Sequence, residues 1–333
     1  MNYIGSKSKL SSWVEEEIIK IIGDDLSDKT FCDIFAGTGI VGRSFKTKVK
    51  QVIANDFEYY SFVLNRNYIG NLKPIDNAQD LIEELNSLPL RDGGFIYQNY
   101  CLGSGSGRHY FSDDNGKKID MIRQTIEEWL EVGKIDEDRY FFLLASLLES
   151  ADKVANTASV YGAFLKHLKK SAQKELILEP AHFEINDKEH LVFNENANRL
   201  IKNVSGDILY LDPPYNHRQY GANYHILNTI AKYKPFKPNG KTGLPRYNRS
   251  SYCKRGEVLK SFRDLIEDAR FKYIFLSYNN EGLMSGKDIR KIFEEFGKYD
   301  LVTTKYQRFK ADKSENRNHK ASKTIEYLHI LEK

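Results

Sequence analysis

The chain has 333 residues, 41% hydrophobic and 13% aromatic, enough apolar material for one large domain or two modest ones. A formal net charge of +4 excludes a globally polybasic protein, and three widely spaced cysteines (Cys32, Cys101, Cys253) with no CxxC pair argue against a disulfide scaffold or a zinc site. The N-terminus lacks the apolar core of a signal peptide, and the longest apolar stretch, residues 140–148, is far short of a bilayer span, so a soluble, cytoplasmic protein is expected.

Along the chain, residues 13–22 have the apolar spacing of a helix, with Ser11 and Ser12 as candidate caps. Residues 30–35 read as a short buried strand, residues 36–42 as a turn into a helix, and residues 51–55 as a second strand ending before Asp56. Strands each coupled to a helix predict βαβ units and a parallel sheet. The Gly-rich segment 102–108 lacks the Gly-Lys-Ser/Thr ending of a phosphate loop and reads as a flexible loop. Helices are expected at 119–132 and 140–154. The sheet resumes at 207–211 and 272–278, and residues 300–306 and 324–331 read as a closing hairpin with a long basic connection. No internal repeat or low-complexity tract is visible.

Asp212-Pro213-Pro214-Tyr215 closes the apolar run 208–211, where an open α/β sheet places its ligands. A carboxylate accepts hydrogen bonds from a planar amino group, and the proline-fixed backbone offers a carbonyl to the same group. The Tyr215 ring can stack on a nucleobase lifted from its helix. Asp and Pro also favour ordinary turns, so this tetrapeptide alone does not decide. A second pattern lies near the N-terminus: Asp33-x-Phe35-x-Gly37-x-Gly39-x-x-Gly42, followed by Asp56, placed for ribose hydroxyls. The glycines alone match a dinucleotide fingerprint. The acidic residue and aromatic before them suit a cationic, methionine-type ligand better than a pyrophosphate, because a sulfonium and an α-ammonium favour a nearby carboxylate.

Residues 232–255 hold Lys232, Lys234, Lys237, Lys241, Arg246, Arg249, Lys254 and Arg255 with no Asp or Glu, interleaved with Tyr233, Phe236, Tyr247 and Tyr252. A second basic run spans residues 305–323. Basic loops beside a cleft are the electrostatic footprint of nucleic-acid binding, whereas isolated basic runs are often only solvated surface. The first run follows the Asp212–Tyr215 motif closely, which favours the nucleic-acid reading. His217 and Arg218, directly after Tyr215, are candidate phosphate contacts.

In combination these segments resemble the Dam-like, α-group N6-adenine-specific DNA methyltransferases of restriction-modification systems. The match is carried by Tyr3-Ile4-Gly5-Ser6-Lys7-Ser8-Lys9-Leu10, the Asp33–Gly39 loop, Asp56 and Asp212–Tyr215, in that order. Asn99-Tyr100, residues 155–157, 161–166 and 224–229 extend it over most of the chain, and Asn156, Tyr161 and Lys166 could be packing residues or DNA contacts. The resemblance implies an α/β, Rossmann-like S-adenosylmethionine-dependent methyltransferase sheet, seven-stranded with one antiparallel strand near the edge. A mostly helical target-recognition insertion would interrupt it, giving residues 1–90 (cofactor half), 91–190 (insertion) and 191–333 (the DPPY half, with a basic DNA-binding loop about 232–258).

By the same resemblance, Tyr3 and Lys7 sit near the methionine carboxylate of S-adenosylmethionine and Asp33 on its ammonium. Phe35, Gly37 and Gly39 line the loop, Asp56 binds ribose, and Asp212 borders both cofactor and target. Asp212, Pro213, Pro214 and Tyr215 are the catalytic set, and His217, Arg218, Lys241, Arg246, Arg249, Lys254 and Arg255 the DNA-binding set. No metal is needed. The family often has an acidic residue shortly before the DPPY strand, near the cofactor adenine; here Asn194-Glu195-Asn196 leaves its identity open. The implied partner is double-stranded DNA, with a cognate restriction endonuclease acting on the same site without a stable complex, and the subgroup hints at short ATG-containing sites such as CATG. The same site logic allows cytosine N4 or RNA adenine as target. A nucleotide-dependent oxidoreductase leaves the DPPY motif and the basic loops unexplained, and a non-catalytic DNA-binding regulator with this fold stays as an alternative, against which the intact Asp33, Gly37, Asp56 and Asp212–Tyr215 argue without proving turnover.

Overall fold

In the computed structural model, which describes Lys7, residues 10–307 and residues 323–333, seven strands pair into one sheet. They are β1 (Thr30–Asp33), β2 (Gln51–Asn55), β3 (Leu191–Phe193), β4 (Ser205–Leu211), β5 (Arg270–Asn279), β6 (Lys298–Gln307) and β7 (Lys323–Glu332). The spatial order is β3-β2-β1-β4-β5-β7-β6. Strands β3 to β5 run parallel, while β7 is antiparallel to both neighbours, so the expected single antiparallel strand lies next to the β6 edge. The connection between β6 and β7, including most of the second basic run, lies outside the described residues.

The sheet forms where apolar runs are bounded by turn residues, and its two faces differ. Alternation puts Cys32, Leu209, Leu211, Ile274, Leu276 and Leu331 on one face, where Phe262 and Leu265 of helix Val258–Asp268 and Ile289 and Phe293 of helix Gly286–Glu294 cover them. The opposite face carries Phe31, Asp33, Tyr210, Phe275 and Ser277, with the Phe31 ring stacked 4.1 Å from Phe45 of helix Ile40–Phe45. Polar residues thus share that face with apolar ones at the C-terminal ends of β1, β4 and β5. The strand order reverses between β1 and β4, the position at which open parallel sheets bind ligands.

Helix Ser11–Ile22 buries Val14 and Ile18, one turn apart. It begins one residue after Leu10 rather than being capped by Ser11 or Ser12. The short β3 was not expected. It is held by more than its ladder with β2: the Val52 N–H donates to His190 Nδ1 (3.0 Å) and Asn194 Nδ2 to the Asp56 carbonyl (2.8 Å).

The chain divides into two compact units. The sheet unit comprises residues 5–65, 186–219 and 249–333; the other comprises residues 1–4, 66–185 and 220–248. The second unit is helical, with Asp113–Glu131 and Glu137–Val154 as its longest helices. Ser112 and Asp136 cap them by accepting from the N–H groups of Asn115 and Arg139, so each starts before its first apolar turn. The buried Arg123 donates to the carbonyls of Ile230 and Ala231, satisfying the end of helix His225–Lys232.

Candidate active site

Three carboxylates gather at the C-terminal ends of adjacent strands. Asp33 ends β1, Asp56 follows β2 and Asp212 follows β4. Asp33 is buried, and the N–H groups of Phe35 and Gly42 donate to it, yet Oδ1 has no hydrogen-bond partner. Burial, reinforced by repulsion from Asp212 and Asp56, pushes its carboxyl well above the usual carboxylate range. Asp56 accepts from the N–H groups of Gly37 and Glu58, both at 2.8 Å, and burial raises it to about 6.

The glycine loop is shaped by these contacts. Gly37 has φ +54° and Gly39 φ +76°, conformations that side chains with a Cβ rarely adopt. Asn65 Nδ2 donates to the Gly37 carbonyl (3.0 Å), so this residue is fixed from both sides. Phe35 is half-buried and meets the Tyr252 ring edge-on at 4.9 Å. Asn55, not singled out in the sequence, ties three segments together. Its Nδ2 donates to the carbonyls of Ile34 (3.0 Å) and Glu195 (3.1 Å), and its Oδ1 accepts from the Glu195 N–H (2.9 Å).

That network separates the three candidates beside β3. Asn194 is spent on the Asp56 carbonyl, and the Asn196 side chain caps helix Ala197–Leu200. Glu195 is pinned through its backbone, and its exposed carboxylate carries none of these bonds.

Lys7, expected beside a methionine carboxylate, places Nζ 3.2 Å from Asp212 Oδ1 and 3.7 Å from Glu326 Oε2. Burial works against its charge, but Asp212 and Glu326 outweigh that and raise its pKa. Asp212 is raised by burial, with Lys7 pulling it back. Pro213 is buried, Pro214 partly so, and the half-buried Tyr215 packs against the core and accepts from the Leu283 N–H through its carbonyl (2.9 Å). Tyr3 lies outside the described residues.

Of the expected DNA-binding residues, His217, Arg218, Arg249, Lys254 and Arg255 are exposed on the sheet unit. Gln219 and Ser250 exchange two hydrogen bonds and Cys253 Sγ donates to the Arg218 carbonyl, so their two loops are joined. Lys254 pairs with Glu257 (2.9 Å). Lys241 and Arg246 are exposed on the helical unit, where the Asn239–Leu244 bridge turns the chain. Asn156 is buried, its side chain bonding the His109 and Leu165 carbonyls and the Lys169 N–H, and the Tyr161 hydroxyl donates to Asp152; Lys166 is exposed.

This strand order, with an acidic glycine loop on β1 and DPPY on β4, defines a Rossmann-like methyltransferase. Residues 3–292 match the family described as D12 class N6 adenine-specific DNA methyltransferase, and the chain belongs to that family. It is similar to the Type II methyltransferase M.NlaIII of Neisseria lactamica, 69% identical over 333 residues covering all of this chain and 99% of that protein. It is also similar to M.CviAII of Paramecium bursaria Chlorella virus 1 (41% identical, 93% of each chain) and to M.FokI of Planomicrobium okeanokoites (37%, all of this chain and 53% of that protein). The chain is therefore an adenine-N6-specific DNA methyltransferase. Among the described residues no helix is long and apolar enough to cross a membrane, and no group of three or more His, Cys, Asp or Glu could hold a metal ion.

Proposed function

We propose that the chain transfers a methyl group from S-adenosylmethionine to N6 of an adenine flipped from double-stranded DNA, as the protective partner of a restriction endonuclease. The observation that carries this reading is the unpartnered, buried Oδ1 of Asp33 beside Asp56 and Asp212, an acidic cluster whose burial and mutual repulsion a ligand bearing a sulfonium and an ammonium would relieve. Asp33 would hold the ammonium, Asp56 the ribose hydroxyls, and Phe35, Gly37 and Gly39 the body of the ligand. Glu195, the member of its triplet whose side chain is unspent, would reach the adenine. When bound, the cofactor supplies a methyl group on a positively charged sulfur, a good leaving group.

Asp212 and the Pro213 carbonyl accept the two N6 hydrogens, with Pro214 fixing the turn and Tyr215 stacking on the extruded base. Extrusion costs a few kcal/mol, offset by these contacts. Adenine N6 is a weak nucleophile because its lone pair is shared with the ring, so alignment is the main catalytic device. Nitrogen bonds to the methyl carbon as the sulfur–carbon bond breaks, and the N6 proton leaves afterwards. His217, Arg218, Lys241, Arg246, Arg249, Lys254 and Arg255 supply the phosphate contacts.

Identity of 69% over the full length with the Neisseria lactamica relative supports a shared role as a Type II methyltransferase, and the subgroup resemblance favours a short ATG-containing target such as CATG. The test is transfer of label from S-adenosylmethionine to unmethylated duplex DNA, followed by nucleoside analysis and modified-base sequencing. N6-methyladenine from the wild type and none from Asp212→Ala is the expected result. N4-methylcytosine would overturn the base assignment, and bound cofactor with no labelled DNA would overturn the duplex substrate.

A further inference from the structure

Glu326 stands out on the face of the sheet that carries Asp33, Tyr210 and Ser277. It sits on β7 opposite Asn279, two residues from Leu328 and four from Ile330, so alternation turns it inward among apolar side chains. Its side chain is 8% exposed, and Oε2 has no hydrogen-bond donor; among the described residues it makes one ion pair, with Lys7 Nζ at 3.7 Å. A buried carboxylate is expensive unless paired, and the ammonium beside it is held more closely by Asp212. Lys7 is therefore shared between a carboxylate of the DPPY motif and one that the motif does not contain.

We propose that Glu326 is a positioning residue for methyl transfer, holding the Lys7 ammonium away from full neutralisation of Asp212 so that Asp212 stays free to accept the target amino group. This rests on the reading of Asp212 given above. A single buried cation facing a single carboxylate would collapse into a tight pair and tie up the acceptor. A second carboxylate on the far side of Nζ gives the ammonium another partner whenever Asp212 engages the base. Burial raises Asp212, and Lys7, from the N-terminal segment, lowers it, while Asp212 in turn raises Asp33 on β1, Tyr210 on β4, Tyr215 in its own loop and Glu326 on β7. Both Asp212 and Glu326 raise Lys7, and Glu326 is raised by burial, lowered by Lys7 and raised by Asp212.

The experiment is the pH profile of single-turnover methyl transfer for Glu326→Gln and Lys7→Gln in the full chain, with the affinities for DNA and S-adenosylmethionine measured alongside. Glu326→Gln is expected to slow transfer roughly tenfold with cofactor affinity unchanged, and to move the acidic limb down by about half a unit or more. Lys7→Gln is expected to move that limb up. A Glu326→Gln limb that stays in place or moves up overturns the proposal. If the amide variant does not fold, Glu326→Asp carries the test: it keeps the charge and must keep the wild-type limb, and a displaced limb overturns the proposal. Asp212→Asn separates the two readings, since transfer by that variant at the wild-type rate would defeat the role of Asp212 itself, whereas an inactive Asp212→Asn with an unshifted Glu326→Gln defeats only the role of Glu326.

Discussion

The residues of the site are set against their own solution chemistry. Asp56 is raised to about 6, against about 4 for a free carboxyl, and the ribose-binding role proposed for it calls for the ionised form. Affinity for S-adenosylmethionine is therefore expected to weaken as pH falls through 6, and calorimetric titration at pH 5 and pH 7.5 checks it. The same shift has a stability sign. The folded state binds the Asp56 proton more tightly than the unfolded state, so this group's contribution falls as pH rises between about 4 and 6. Gly37 gives a second prediction at this scale. With φ +54° and both its N–H and carbonyl engaged, Gly37→Ala adopts a left-handed conformation costing about 1–2 kcal/mol, read as a lower melting temperature together with weaker cofactor binding. Asp56 and Asp212 were legible because each follows a strand-like run, and Asp33 because it precedes the glycine loop inside one. Glu326 was not singled out, although a charge in the alternation Glu326-x-Leu328-x-Ile330 marks a core-facing position; what it faces is Lys7, more than three hundred residues away in sequence.

Elements were legible in proportion to their apolar content. β2 was read to the residue, and β4, β5 and the β6–β7 hairpin to within about two, because continuous apolar runs end at turn residues. The first six residues of the helix at 113–131 were missed, since Asp113, Asp114, Asn115, Lys117 and Lys118 are polar and the start is set by the Ser112 cap. β3 escaped altogether: three half-buried residues carry no periodicity, and the strand exists through His190, Asn194 and Asn55. Asn55 is the critical link. Asn55→Ala removes three hydrogen bonds, one buried and two partly buried, joining the end of β1, β2 and the Glu195 loop and leaves backbone groups unpaired, a loss of about 2–3 kcal/mol in urea unfolding. Cofactor affinity should fall with it, because the loop that presents Glu195 is released. Wild-type stability in that variant would show that the ladder alone holds β3.

At the scale of the whole molecule, a net charge of +4 hides a local excess of base in residues 232–255. Phosphate neutralisation releases counterions, so DNA affinity should fall steeply with salt. Arg218→Ala is expected to weaken binding for matched and unrelated duplexes alike and to reduce the log–log salt slope by about one. An unchanged slope would remove Arg218 from the phosphate contacts.

The interleaving of the two units has a consequence during synthesis. β1 finds its first neighbour, β2, within some twenty residues, but its other neighbour is β4, which begins at Ser205. The whole of residues 66–185 leaves the ribosome before β4 does, so until then β1, with its buried Phe31 and Cys32, has one edge unpaired. Such an edge is a template for pairing with another chain. A nascent chain stalled before residue 205 is therefore a sticky half-sheet, and the helical segment that separates the two halves sets how long that exposure lasts.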